Sequence, residues 1–251
     1  IGVPATTVTT TRTAGSLTNV PTWGYTTGAY NIIYNGAAAI NTGNELPSSA
    51  TPTNGTLTVS TGGTNVTLMA DANIGTLTTS LATTTTFNLN GFTLGLSLAT
   101  PVSNTGVITA NAATSTIKFN GTVAQTFTLG GTYTGSLISN MVVDNSFSTS
   151  GLTVSTTNIN VGSLTINASR FMTLNGVNIN VTKDVDNNGT VTTSIASSAI
   201  TMNGSLAQTI KSSGATGVWT TGTAGRLLNL VINNAAGVST TTAFAIQTGL
   251  T

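Results

Sequence analysis

The chain has 251 residues, six Lys and Arg against five Asp and Glu, no His and no Cys. Charged residues make up 4% of it, where an ordinary soluble domain carries about a quarter. This excludes a Ser-His-Asp triad, a Cys nucleophile and the usual zinc ligands, and a net charge of +1 gives no field for nucleic acid or an anionic membrane. Thr occurs 57 times, Gly 28 times and Asn 27 times. Thr and Val favour strands while Gly and Asn favour turns, so the chain reads as nearly all β. At 39% hydrophobic and almost neutral, it is unlike a disordered segment. No run of 18 apolar residues is present, so no transmembrane helix is expected. It begins at Ile1 with neither Met nor a basic-then-apolar leader, which reads as a processed product.

Residues 1–24 stand apart, with Trp23 and Tyr25 marking the passage into a repeat. Tyr34-Asn35-Gly36 opens a worn first copy. Phe87-Asn-Leu-Asn-Gly91 returns as Met172-Thr-Leu-Asn-Gly176. Ser103-Asn-Thr-Gly-Val-Ile-Thr109 returns as Asn187-Asn-Gly-Thr-Val-Thr192. Phe119-Asn-Gly-Thr-Val-Ala-Gln-Thr-Phe127 returns as Met202-Asn-Gly-Ser-Leu-Ala-Gln-Thr-Ile210. Ile138-Ser-Asn-Met-Val-Val-Asp-Asn145 returns as Leu227-Leu-Asn-Leu-Val-Ile-Asn-Asn234. Four markers in one order define a unit of about 84 residues, with copies over 25–109, 110–193 and an incomplete 194–251.

Within a copy, short runs alternate apolar and polar residues, as from Leu164 to Val191, which puts one side of each strand inward. Asn175-Gly176 and Asn187-Asn188-Gly189 separate the runs as turns. Two architectures fit. One is a parallel β-helix, or β-solenoid, with four rungs of about 20 residues per copy. The other is a string of Ig-like β-sandwiches of about 84 residues each. Recurrence of short strands inside a copy, abundant turn Asn, and the lack of a core Trp or tyrosine corner favour the solenoid. In such a stack a charge kept in every copy would sit above its own kind, whereas Thr and Asn can stack on themselves through hydrogen bonds.

Phe119-Asn-Gly-Thr-Val-Ala-Gln-Thr-Phe127, Met141-Val-Val-Asp-Asn145 and Leu227-Leu-Asn-Leu-Val-Ile-Asn-Asn-Ala-Ala-Gly-Val238 resemble the "FNG-x-x-x-QT … L-x-I-N-N" repeat of very large, adhesin-like surface proteins of Bacteroidetes. Tyr30-Asn-Ile-Ile-Tyr-Asn-Gly36 and Thr42-Gly-Asn-Glu-Leu-Pro47 are similar to the opening segment of those proteins. The resemblance covers residues 25 to 251 and implies a parallel β-helix exported by type IX secretion. The sorting domain of that route is not visible in this sequence.

Few residues suggest a site. Asp184-x-Asp186-x-Asn188-Gly189 matches the start of a calcium loop, in which alternate oxygens converge on one ion, but position 195 is Ile rather than the closing Glu. The plainer reading is a polar turn in register with Ser103–Gly106, and no cofactor is expected beyond that calcium option. Glycan-degrading β-helices need clustered acids, while Glu45, Asp71 and Asp144 stand singly in sequence. Trp23, Tyr25, Tyr30, Tyr34, Tyr133 and Trp219 form either a sugar-stacking surface or ordinary packing. N-glycosylation sequons at Asn54, Asn65, Asn120, Asn167, Asn180, Asn188 and Asn203 follow from the Asn- and Thr-rich composition.

The expectation is a non-enzymatic, extracellular structural protein: a segment of a bacterial surface fibre or adhesin stalk. Neither end carries a helix or a charged cap, so the expected partners are neighbouring repeats or copies joined end to end. The alternatives are a carbohydrate- or surface-binding module and, after it, a glycan-degrading enzyme.

Overall fold

The computed structural model describes residues 7–19, 28–48, 55–60, 64–80, 85–155, 158–193, 195, 197–211, 229–241 and 249–250. Among these residues are 25 strands and no helix. Every strand pairing is parallel. The fold is a β-solenoid of about eight turns. Ig-like sandwiches, built from antiparallel strands, are thereby set aside.

Each turn visits three faces. The first face carries Val8–Arg12, Tyr30–Tyr34, Thr56–Val59, Thr76–Thr79 and Val102–Asn104. It continues through Gln125–Thr128, Leu152–Ser155, Phe171–Asn175 and Thr190–Thr193. The second face holds Ile40–Asn41, Asn65–Thr67, Thr86–Asn88, Val107–Ala110, Asn178–Val181, Ala199–Met202, Asn229–Ile232 and Gly249–Leu250. The third holds Ala72–Ile74, Thr93–Leu96, Thr116–Phe119, Val185–Asn187, Gln208–Lys211 and Val238–Thr240. The long strands Thr132–Val143 and Ile159–Ile166 run from the second face onto the third, because their two halves pair with different neighbours. Paired residues are 19 apart at the tightest, as Thr173 and Thr192, and 30 apart at the widest, as Ala199 and Asn229.

Alternation along each strand fills the interior with stacked columns of like residues. On the third face Ala72, Leu94, Ile117, Met141, Leu164, Val185 and Ile210 lie one above the next, all buried. Beside them run Ile74, Leu96, Phe119, Val143 and Ile166. Every rung covers the apolar face of its neighbours, and a fully buried Leu, Ile or Phe contributes about 1.5–3 kcal/mol.

The repeat and the turn have different lengths. From the strand of Phe87 to that of Met172 the chain passes eleven strand segments, counting each bent strand as two. The step from Phe119 to Met202 is also eleven. Four rungs would need twelve, so consecutive copies do not lie above one another. Tyr34, Phe119 and Met202 head the same motif on the first, third and second faces respectively.

One turn is irregular. Ile108 is in register with Tyr133, but Ala110 is in register with Ile138, so the upper strand accommodates three extra residues. They bulge at Gly135 and Ser136, both with positive φ (67° and 53°).

Candidate functional site

The repeated residues are the stations of two polar stitches between rungs. In the first, the Gln125 amide donates to Leu96 O (2.9 Å) and Leu98 O (3.0 Å) of the rung below. Its oxygen accepts from Gly121 N (3.3 Å) and from Asn145 Nδ2 (2.7 Å) of the rung above. Asn145 also donates to Val123 O (2.8 Å) and accepts from Phe147 N (2.8 Å). The next copy repeats this arrangement. Gln208 donates to Val181 O and Lys183 O, and accepts from Gly204 N (2.8 Å) and Asn234 Nδ2 (2.8 Å). Asn234 donates to Leu206 O (2.7 Å). Gln125, Asn145, Gln208 and Asn234 are all buried.

The second stitch runs from Gly91 N to Ser115 Oγ (2.9 Å), with Asn140 Nδ2 on Ser115 O (3.0 Å) from the rung above. Its counterpart runs from Gly176 N to Ser198 Oγ (2.9 Å), with Asn229 Nδ2 on Ser198 O (3.2 Å). The motif glycines differ in purpose. Gly91 and Gly176 hold positive φ in turns (88° and 74°). Gly36, Gly121 and Gly204 do not; a Cβ there would collide with the carbonyl oxygen of Thr13, Ser97 or Thr182 in the rung below. The first copy is worn because Ile40 stands where the later copies have Gln125 and Gln208.

In place of the amide stitch, the first copy has a buried ion pair. Glu45 is fully buried and bonds Arg12, itself 6% exposed. The same carboxylate oxygen accepts from the Tyr34 hydroxyl (2.7 Å) and Gly43 N (2.9 Å). The Arg12 guanidinium lies 5.3 Å from the Tyr34 ring centroid and donates to Asn41 O (3.2 Å). Burial, partly offset by the Arg12 charge, pushes the Tyr34 phenol far above its ordinary range, so it remains a donor. The first described turns thus hold a charged plug, which the sequence reading missed because Arg12 and Glu45 are 33 residues apart.

The other charges gather on one side. Asp71, Lys118, Asp144, Arg170, Lys183, Asp184, Asp186 and Lys211 all lie on the third face or its borders. Arg226 lies outside the described residues. Up the stack the signs alternate through Asp71, Lys118, Asp144 and Arg170. Lys118 Nζ is 2.7 Å and Arg170 Nε 3.2 Å from Asp144, and Lys211 Nζ is 3.3 Å from Asp184. The concern about like charges stacking therefore does not arise: a given repeat position moves to another face in the next copy, and Asp144 and Asp184 each meet a cation of another rung.

Asp184 and Asp186 flank buried Val185, with Asn188 beyond the end of that strand. Asp184 accepts from Thr209 N (2.8 Å) with one oxygen and faces Lys211 with the other. Asn188 turns its amide nitrogen to Asp186 (3.1 Å), and buried Asn187 accepts from Gly189 N (3.1 Å). Among the described residues no group of three or more His, Cys, Asp or Glu is placed to hold a metal ion. Asp71 accepts from Thr93 N (2.8 Å) and, with Asn73, Lys118 and Asn120, lines a shallow groove of about 480 Å³. Asp71 and Asp184 thus face backbone or cationic groups of an adjacent rung, and Asp186 faces the side-chain amide of Asn188.

Asp144 carries a testable pH dependence. Burial opposes its charge, but hydrogen bonds from Lys118 and Asn167, the Lys118 charge and Arg170 outweigh it and hold the carboxyl below its usual value. A depressed carboxylate stabilises the fold above its unfolded value near 3.8, and that contribution fades as pH falls through the lower folded value. Asp144→Asn should cost up to about 1 kcal/mol at neutral pH, since the group is partly exposed and screened. Denaturant titrations of both proteins should converge as pH falls through the lowered folded value of Asp144. An equal gap at neutral and acid pH would show that the carboxylate charge contributes nothing.

The aromatic residues divide. Tyr30, Tyr34 and Tyr133 are buried and cannot form an external stacking surface, while Trp23, Tyr25 and Trp219 lie outside the described residues. Among the sequons, Asn120, Asn180 and Asn188 donate side-chain amides to Asn73, Asn160 and Asp186, and Asn167 hydrogen-bonds Asp144. Asn65 and Asn203 are exposed, and Asn54 lies outside the described residues. No helix among the described residues is long and apolar enough to cross a membrane. No protein-family model, curated protein or solved structure matches the chain.

Proposed function

We propose that the chain is a non-enzymatic, extracellular structural segment: a length of stalk or fibre on a bacterial surface. The observation that carries this reading is where the polar side chains go. Buried Gln, Asn and Ser join a rung to those above and below, and Asp144 and Asp184 meet Lys or Arg of other rungs. Such a stack transmits load along its axis through parallel ladders and their side-chain stitches. The composition and the repeat style of the Bacteroidetes surface proteins support the same setting. End-to-end self-association is part of this reading, since a solenoid rung with no neighbour presents an open edge to another.

Negative-stain electron microscopy of the purified chain tests this. Slender rods that join end to end are expected. Uniformly separate particles at every concentration would remove the filament, and turnover of a glycan panel would replace the structural reading with an enzymatic one.

A further inference from the structure

We propose that Asn35-Gly36 is a site of spontaneous covalent modification, at which Asn35 is converted to aspartate and isoaspartate, and that the hydrogen bonds of the fold spare the same dipeptide elsewhere. Asn-Gly occurs seven times, and six of the pairs lie among the described residues. The reaction uses the glycine N–H. That nitrogen loses its proton to solvent and bonds to the Asn side-chain carbonyl carbon, the Cγ–Nδ2 bond breaks, and ammonia leaves. Water then opens the resulting cyclic imide at one of its two carbonyls, which gives aspartate or isoaspartate. Glycine has no Cβ to obstruct the attack. An N–H held in a buried hydrogen bond has to be released first, and its acceptor is then left without a partner.

In five of the six described pairs the fold holds that N–H. Gly121 and Gly204 donate to Gln125 Oε1 (3.3 Å) and Gln208 Oε1 (2.8 Å). Gly91 and Gly176 donate to Ser115 Oγ and Ser198 Oγ, both at 2.9 Å. Gly189 donates to Asn187 Oδ1 (3.1 Å). Gly36 is the exception among the described residues: its N–H has no acceptor, since Ile40 occupies the place of the Gln side chain. Asn203 is the matched comparison. Asn35 and Asn203 are both exposed and each precedes a buried glycine. Their own N–H groups donate alike to the rung below, at Arg12 O (2.8 Å) and Val181 O (3.0 Å). The two sites therefore differ in whether the following N–H is held. Conversion at Asn35 places a carboxylate next to Tyr34, on a rung of the Arg12–Glu45 plug, and isoaspartate lengthens the backbone there by one atom. The inference is independent of the fibre reading, since it concerns one corner of one rung.

The test is peptide mapping by mass spectrometry of the intact chain held in warm, mildly alkaline buffer, beside a sample in concentrated urea. Urea gives each Asn-Gly pair its rate without the fold, and those rates should be similar. In the folded chain Asn35 should convert first, at least roughly tenfold faster than Asn203, as expected for one buried hydrogen bond. Fragmentation should show both aspartate and isoaspartate at that position. Asn35→Gln, at an exposed position, should abolish the earliest mass change. Gln208→Leu removes the acceptor of Gly204 and should raise the Asn203 rate roughly tenfold. Should that variant fail to fold, the comparison of Asn35 with Asn203 in the unaltered chain decides alone. Conversion of Asn203 as fast as Asn35, an intact Asn35 in the folded chain after the urea sample has reacted, or an unchanged Asn203 rate in folded Gln208→Leu would overturn the proposal.

Discussion

Gln125→Ala should be among the most destabilising single substitutions in this chain, at about 3–5 kcal/mol. The side chain makes four hydrogen bonds that span three rungs, and it is 1% exposed. Truncation takes from Leu98 O and Gly121 N the partner that Gln125 supplied where water is excluded, while Leu96 O keeps Asn120 N and the Asn145 amide keeps Val123 O. It also opens a cavity against the motif glycine. Asn145→Ala should cost about 2–3 kcal/mol, since it removes the Val123 and Gln125 contacts and the bond to Phe147 N. The double variant should cost less than the sum by about 1–3 kcal/mol, because both single changes remove the same Gln125–Asn145 bond. Hydrogen exchange gives the cleanest reading: protection should fall in the rungs of Leu96, Gln125 and Asn145 before distant ones, as expected for a stack held by nearest-neighbour contacts. Additive costs, or a uniform loss along the whole solenoid, would mean that the stitch is not a local unit.

The second large effect concerns the plug in the first turns. Arg12→Ala should cost about 3–5 kcal/mol, because it leaves the Glu45 carboxylate buried without its counter-charge. The paired replacement of Arg12→Met with Glu45→Met should recover most of that loss, since an apolar pair of similar volume bears no desolvation cost. Tyr34→Phe removes one donor to the carboxylate and should cost about 1 kcal/mol. Thermal or urea unfolding of the three variants checks the order. If Arg12→Met with Glu45→Met is as unstable as Arg12→Ala, the loss comes from packing and not from the stranded charge.

These two cases mark what a sequence of this kind reveals. Alternating Leu, Ile and Val gave strands, and the spacing of Gln125 and Gln208 within closely similar surroundings exposed a repeat. The chemistry behind that recurrence was hidden, because the partners of Gln125 come from rungs before and after it in the chain. Hydropathy patterning also carries no record of how many strands make a turn, so a division into four rungs was natural and the observed eleven segments were not foreseeable. Arg12 and Glu45 looked solitary because their meeting depends on the winding. Tyr133 fitted either a stacking surface or ordinary packing and is buried, while the bulge that follows it at Gly135 and Ser136 is concealed inside a strand of 12 residues. The acids at 184 and 186 were legible as outward residues beside a turn, but the reach of Asp184 to Thr209 and Lys211 lies one rung away.

The mismatch between repeat and turn makes the molecule a screw. Each copy advances along the axis by about 18 Å, taking a rung spacing near 4.8 Å. It also carries its corner loop, tipped by Ala38, Val123 and Leu206 in successive copies, from one edge of the prism to another. Three copies complete the circuit, so an extended array would return to the same edge only every 50 Å or so. Two such rods lying side by side could match corner to corner at one copy in three, too sparsely to zip together along their length. In the fibre proposed above, growth would therefore be favoured at the ends, where whole rungs can meet, and discouraged at the flanks.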